Sequence, residues 1–255
     1  MTSDPDVAAD SFDGIGIDAL RALLRVPSLH VFARVSSTLD VAHRLAAAGA
    51  PHGAVVIADT QTRGRGRDGK RWSSPAGAGL WMTLIARPAT ADSIRVLTVR
   101  LGLAAAAVLD SFATRRVQLK WPNDLYIAGG KVGGVLVEAR WRGASVEWLA
   151  IGLGINVIAP PDAPNAAGVL PGTARVDVLA SLVPPLLVCM GRPDALLDAE
   201  ELRAYARRDL VAGRRAEAPA RGVILGITAA AELRVATDAG EAACSSGSLV
   251  LSEVP

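Results

Sequence analysis

The feature that most restricts what this chain can fold into is a change of texture at Gly213. After it come only short strands, Gly222–Thr228, Glu232–Thr237, Glu241–Ala243 and Leu249–Leu251, separated by turn residues at about 8–12-residue spacing. Before it, strand-length and helix-length apolar segments are interspersed. The pattern predicts helices over Ile17–Arg25, Asp40–Ala48, Ile94–Phe112 and Ala199–Leu210, and a further helical region from Val176 that is interrupted at Pro184-Pro185. Strands are expected at Ala54–Ala58, Leu80–Ala86, Val117–Lys120, Leu125–Ile127, Val132–Glu138 and Val146–Gly152, with a Gly129-Gly130 hairpin turn and a Pro/Ala loop over Ala159–Pro171. The chain therefore reads as an α/β (α+β) fold, a mixed sheet with helices, followed by a compact β-barrel of about 40 residues. Three parts are expected: a flexible tail at 1–17, an α/β unit at 18–212 and the β unit at 213–255.

Composition excludes several classes. A chain of 255 residues, 51% hydrophobic and 20% charged, is ample for a buried core. The longest apolar stretches, Leu101–Leu109 and Leu182–Gly191, are shorter than the roughly 20 residues of a membrane span, so no membrane association is expected. Met1–Asp13 is acidic and has no secretory signal. Cys189 and Cys244 form no metal motif and read as reduced cytosolic thiols, which points to a cytoplasmic protein. His30, His43 and His52 share no ligand spacing and are read as structural or surface residues; no nucleophile–His–Asp constellation is apparent.

The net charge of +2 is uninformative until it is located. The segment from Arg63 to Arg71, RGRGRDGKR, carries Arg63, Arg65, Arg67, Lys70 and Arg71 against Asp68 alone, so this stretch exceeds the net charge of the whole chain and leaves the remainder slightly acidic. Gly64, Gly66 and Gly69 interleave it, and so much glycine and like charge suggests that its order depends on an anion. Three readings stand. Gly64 to Lys70 matches GxxxxGK of a phosphate-binding loop, but Arg71 replaces the Ser or Thr that would hold Mg²⁺. An RGG-like nucleic-acid segment would have one short copy on an otherwise acidic body. A solvated loop is the plainest reading.

Three further motifs follow. Lys120-Trp121-Pro122-Asn123-Asp124-Leu125 places a turn between two strands, with Asn123 and Asp124 able to cap it. Lys131 begins a strand between the pairs Gly129-Gly130 and Gly133-Gly134, which would let backbone approach a ligand while the ammonium points at it; exposure to solvent is the ordinary alternative. Gly152-Leu153-Gly154-Ile155-Asn156-Val157 ends a strand, and Val157 spoils a dinucleotide fingerprint. Ser36-Ser37-Thr38 reads as a helix cap or as a polar pocket at a helix start.

In this order, Ser37-Thr38, Gln61 with Gly64-Arg65-Gly66-Arg67, Gly69 and Trp72, then Lys120 to Leu125, then Gly130-Lys131 with Gly134, Leu136 and Glu138, then Gly152, Gly154 and Asn156, the chain resembles the biotin protein ligases from about Ser36 to the C-terminus. The resemblance implies a mixed-sheet catalytic domain, 18–212, that binds biotin and ATP, followed by an SH3-like barrel. It implies activation of biotin with MgATP to biotinyl-5′-adenylate and transfer to one lysine of a biotin carboxyl carrier domain of a carboxylase. It further implies that Ser37, Thr38, Leu39 and Gln61 surround biotin, that Arg65, Gly66 and Arg67 lie on a loop over biotin and the adenylate, and that Lys131 meets the biotin carboxylate and the α-phosphate beside Gly134. Asn123 and Asn156 fall on the adenine and ATP side, and Lys131, Arg65 and Arg67 are the catalytic candidates; the Mg²⁺ ligands are not identified. Leu39 stands where the family usually has Asn, and Arg63 where a small residue is common. Nothing long enough for a DNA-reading head precedes the first helix, so the ligase-only class without DNA binding is expected, compatible with a homodimer. A related lipoyl transferase, or a non-catalytic biotin- or RNA-binding protein, is the alternative.

Overall fold

The computed structural model describes residues 6–87 and 93–252. In chain order the elements are β1 (Val7–Ala8), β2 (Ser11–Phe12), β3 (Ile15–Gly16), α1 (Ile17–Leu24), β4 (Leu29–Val35), α2 (Thr38–Ala47), β5 (Val55–Gln61), β6 (Gly79–Ala86) and α3 (Ser93–Leu109). They continue as β7 (Gln118–Lys120), β8 (Asp124–Ile127), β9 (Gly130–Arg142), β10 (Ser145–Asn156), α4 (Arg175–Met190), α5 (Ala199–Ala206) and β11 to β15 (Arg215–Ala218, Gly222–Ile227, Leu233–Thr237, Gly240–Cys244 and Val250–Leu251).

Eight strands make one mixed sheet in the order β1-β4-β5-β6-β10-β9-β8-β7, in which only β4 and β5 pair in parallel. Its two faces follow from the period of two along each strand. Val55, Ile57, Met82, Leu84, Leu149, Ile151, Leu153 and Ile155 point into the larger core, which α1, α3 and α4 cover. The alternate residues Val56, Ala58, Ile85, Trp148 and Ala150 join Leu39, Val41, Ala42 and Ala46 of α2 in a smaller core on the other face. The second sheet, β14-β13-β12-β11-β15, is antiparallel throughout and is the SH3-like element expected after Gly213, with Arg215–Ala218 as a strand beyond the four read from the sequence.

Two expectations are corrected. Residues 6–17 are not a loose tail: β1 pairs with β4, and β2 and β3 form a hairpin turning at Asp13 and Gly14, both at positive φ. Phe12 is only 3% exposed, the Arg175 guanidinium lies 4.5 Å over its ring, and Arg175 pairs with both Asp13 and Asp59, so the hairpin is fastened to the body. Residues 1–5 of the expected tail and 253–255 of the expected β unit lie outside the described residues. The second correction is that α4 runs unbroken through Pro184 and Pro185. The prolines remove only the two amide donors that would reach Ala180 and Ser181, while Leu182, Val183 and Leu186 stay fully buried. Burial of that apolar face outweighs the missing hydrogen bonds. Among the described residues no helix is long and apolar enough to cross a membrane.

Candidate active site

The face that carries α2 has a bare patch. Gly152 and Gly154 alternate with Ile151 and Leu153, so two successive positions of β10 present no side chain where their neighbours fill a core. A Cβ on Gly154 would lie 2.6 Å from the Trp72 indole, and one on Gly152 would lie 3.3 Å from Leu39. The chain thus brings Leu39 and Trp72 down onto bare backbone, and a cavity of about 930 Å³ opens between α2, the loop after β5 and the β7–β9 segment.

One end of this cavity is a polar relay. Gln61 Oε1 accepts from the Thr38 backbone N–H at 2.9 Å and from Thr38 Oγ1 at 3.2 Å, while Gln61 Nε2 donates to Ser74 Oγ at 2.8 Å. Thr83 Oγ1 donates to Thr38 Oγ1 at 2.9 Å, which completes the chain from β6. Ser37 differs. It is the residue preceding α2 but makes no side-chain cap, is 1% exposed, and its Oγ is buried without a partner outside the cavity wall.

The roof is the Gly/Arg loop, and it has more internal support than its composition suggests. Gly66 N–H donates to Lys70 C=O, Trp72 N–H to Gly64 C=O, and Lys70 N–H to Arg67 C=O, closing a small hairpin around a 3-10 turn at Arg67–Gly69. Gly64 has no room for a side chain, since its Cβ would stand 2.4 Å from Trp72 C=O. Arg65, Gly66 and Arg67 all line the cavity. The loop also reaches the connection between β14 and β15: Ser248 Oγ donates to Asp68 at 2.5 Å and Arg67 to Gly247 C=O at 3.5 Å. That hydroxyl and the neighbouring arginine hold the Asp68 carboxyl below its ordinary range.

The third wall carries the lysines. Lys131, at the start of β9, places Nζ 2.6 Å from Asp124 Oδ1 and 5.2 Å from the Trp72 ring centroid. Its backbone is held by Asn165 C=O and Ala167 N–H. Gly134 opens the space beside it, with a notional Cβ 3.5 Å from Asp124 Oδ1 and 3.8 Å from Lys131 Cε. Lys120 also borders the cavity, and burial together with Lys131 pushes its ammonium pKa down despite Asp124. Asn123 Nδ2 donates to Val135 C=O at 2.8 Å, locking the turn after β7. Asn156 donates to Lys131 C=O and Ala167 C=O, which leaves its buried Oδ1 without a partner.

Of the residues singled out from the sequence, Thr38, Leu39, Gln61, Arg65, Gly66, Arg67, Asn123, Lys131, Gly134 and Asn156 therefore meet around one cavity, and Ser37 is not among the residues that line it. Sequence reasoning missed Asp124 as the partner of Lys131 and the contribution of Ser248 and Leu249 from the β14–β15 connection. His43, read as structural or surface, hydrogen-bonds Trp148 and Glu138. Asp40 and His43, three residues apart, share one face of α2. Among the described residues no three His, Cys, Asp or Glu side chains stand together as a metal site.

The biotin/lipoate A/B protein ligase family model matches residues 31–156, the stretch that contains α2, the Gly/Arg loop, Lys131 and Asn156. Residues 31–156 are a domain of that family. The chain is 40% identical over 138 residues to the biotin–[acetyl-CoA-carboxylase] ligase of Paracoccus denitrificans, a match covering 52% of this chain and 56% of that protein. It is also 40% identical over 129 residues to the bifunctional ligase/repressor BirA of Bacillus subtilis, covering 50% of this chain and 40% of that one. These matches span about half the length of the curated relatives. The fold is similar to that of the biotin protein ligase from Aquifex aeolicus in complex with biotin and ATP, with a TM-score of 0.75 at 26% identity, covering 89% of this chain and all of that one.

Proposed function

We propose that this protein activates biotin with MgATP to biotinyl-5′-adenylate and passes the biotinyl group to a lysine of a biotin carboxyl carrier domain. The observation that carries this reading is the convergence of the Thr38–Gln61–Thr83 relay, the Gly/Arg loop and the Lys131–Asp124 pair on a single cavity large enough for both reactants. The relay suits the ureido ring of biotin, which has both donors and acceptors. Leu39 supplies an apolar wall beside it. At the other end, the unpartnered Oδ1 of Asn156 suits an exocyclic amine such as that of adenine, with Asn123 holding the wall between.

Chemically, the biotin carboxylate oxygen attacks the α-phosphorus of ATP and diphosphate leaves. Two anions must meet, and Lys131 with Arg65 and Arg67 provides fixed positive charge where they do. The carrier lysine then attacks the mixed anhydride at its acyl carbon, and AMP departs. No protein nucleophile is needed. The Gly/Arg hairpin roofs the cavity and restricts water, to which that anhydride is vulnerable. The carboxylates on the cavity wall, Asp68, Asp124 and Asp162, do not make a cage for an ion. Mg²⁺ enters this reading as the counter-ion of the triphosphate, the usual mode for this cation.

The same reading assigns residues 18–212 to a catalytic unit and 213–255 to an SH3-like unit that touches the loop through Ser248, in a cytoplasmic protein whose Cys189 and Cys244 are free. The test is to offer biotin or lipoate with MgATP and follow diphosphate release. Release with biotin alone supports the proposal; release with lipoate alone, or salt-dependent RNA binding without release, contradicts it.

A further inference from the structure

Arg65 is held in an unusual way. Its Nη1 pairs with Asp40 Oδ1 from α2, and its Nη2 lies 2.9 Å from Glu138 Oε2 on β9, so two elements grip one guanidinium of the loop. Each carboxylate is itself held. Ser36 Oγ donates to Asp40 Oδ2 at 3.3 Å, and His43 Nε2 lies 3.0 Å from Glu138 Oε2. Trp148 Nε1, which can only donate, meets His43 Nδ1 at 3.0 Å. His43 Nδ1 must therefore accept, which places its ring proton on Nε2, facing Glu138. Trp148 is in turn covered by Arg87, whose guanidinium lies 5.1 Å from its ring centroid. The result is a continuous line, Trp148 to His43 to Glu138 to Arg65, ending on the roof of the cavity.

The end of the line is unfinished. Arg65 Nε is buried and has no partner, although every other contact of the guanidinium is charge-assisted. Because Nε is closed off from solvent, contact with a ligand falls to the Nη hydrogens that the two ion pairs leave unused. We infer that Asp40, Glu138 and His43 are positioning residues that hold the Arg65 guanidinium, whose five N–H donors exceed the two engaged here, at the cavity wall for the anionic ligand. In this arrangement Glu138 acts through Arg65 and touches no substrate, and His43 sets the orientation of Glu138. Arg65 keeps its place as the ligand arrives, and the ordering entropy of a long side chain is met in advance by the fold. The Glu138 carboxyl lies below its ordinary range because of the His43 hydrogen bond and the Arg65 charge, against a contrary effect of burial, in keeping with a carboxylate built to stay ionised.

This inference rests on the reading of the cavity as an adenylate site, and the experiment separates the two. The full chain is given biotin and MgATP, and the lifetime of the bound biotinyl-adenylate is followed for the wild type, Arg65→Ala, Glu138→Gln and the double variant. Each single change is expected to shorten the lifetime by about tenfold, the worth of one charge-assisted hydrogen bond, with no further loss in the double variant. Adding of the two effects, or an unchanged or longer lifetime in Glu138→Gln, would overturn the positioning role while leaving the ligase reading intact. No adenylate with the wild type would overturn both. Asp40→Asn, which leaves the His43–Glu138 contact alone, supplies a second variant with the same expected shortening, so that poor folding of one does not end the test.

Discussion

The two faces of the central sheet are made from the same strands and differ only in which alternate residues they display. On one face Ile151, Leu153 and Ile155 of β10 belong to a filled core shared with residues of α3 and α4. On the other, Gly152 and Gly154 leave backbone bare, and the space is given to Leu39, Trp72 and a cavity. Between Ile151 and Ile155, parity along β10 thus decides whether a change is felt as stability or as binding, because in that stretch only the filled face carries apolar side chains.

The sharpest break of this comparison is on the cavity side. Lys131→Ala removes the ammonium from the Asp124 pair and is expected to slow adenylate formation on the order of a hundred- to a thousand-fold, with the melting temperature little changed. Single-turnover diphosphate release and a thermal melt measure the two; normal turnover would remove Lys131 from its role. On the filled face, Ile151→Ala is expected to cost about 3 kcal/mol of stability by leaving a cavity, while biotin affinity per folded molecule stays the same. Denaturant titration beside calorimetric binding tests that split.

How far the sequence goes is clearest from particular elements. The long apolar periodicities of α3, β6 and β10 and the turn before β9 were legible because each is a local pattern. The β2–β3 hairpin was concealed by the acidic composition around it, although Asp13-Gly14 is a strong turn signal. β4 was overlooked: His30 and Arg34 interrupt its apolar residues, and its strand character comes from pairing with β1 and β5 on either side. The continuity of α4 through two prolines is likewise a tertiary effect. The cavity motifs were legible as residue types in order, but the Lys131–Asp124 pair and the line from Trp148 to Arg65 were not, since they join residues that only the sheet brings together.

Smaller changes sharpen the contrast. Gly154→Ala puts a Cβ 2.6 Å from the Trp72 ring and is expected to weaken biotin binding by about tenfold as the indole is displaced, with a smaller effect on folding. Comparable binding in a direct titration would show that Trp72 has room to yield. The smallest expected effect is that of pH. The pKa of Glu138 is lowered from 4.5 in the folded protein, so its contribution is present at neutral pH and is lost as pH falls through the folded value. The stability difference between wild type and Glu138→Gln is therefore expected to be about 1 kcal/mol or less at pH 7 and to shrink below about pH 4.5. A difference that grows on acidification would reverse the sign assigned to this carboxylate.

The central claim is that the bare face of the sheet is an adenylate-forming site serving a protein acceptor. Incubation with biotin, MgATP and an apo carrier domain, followed by mass analysis of the carrier, tests it most directly. The account predicts one biotinyl group on one carrier lysine, dependent on ATP and greatly slowed by Lys131→Ala. A carrier left unmodified by the wild type, or modified equally well by Lys131→Ala, would contradict it.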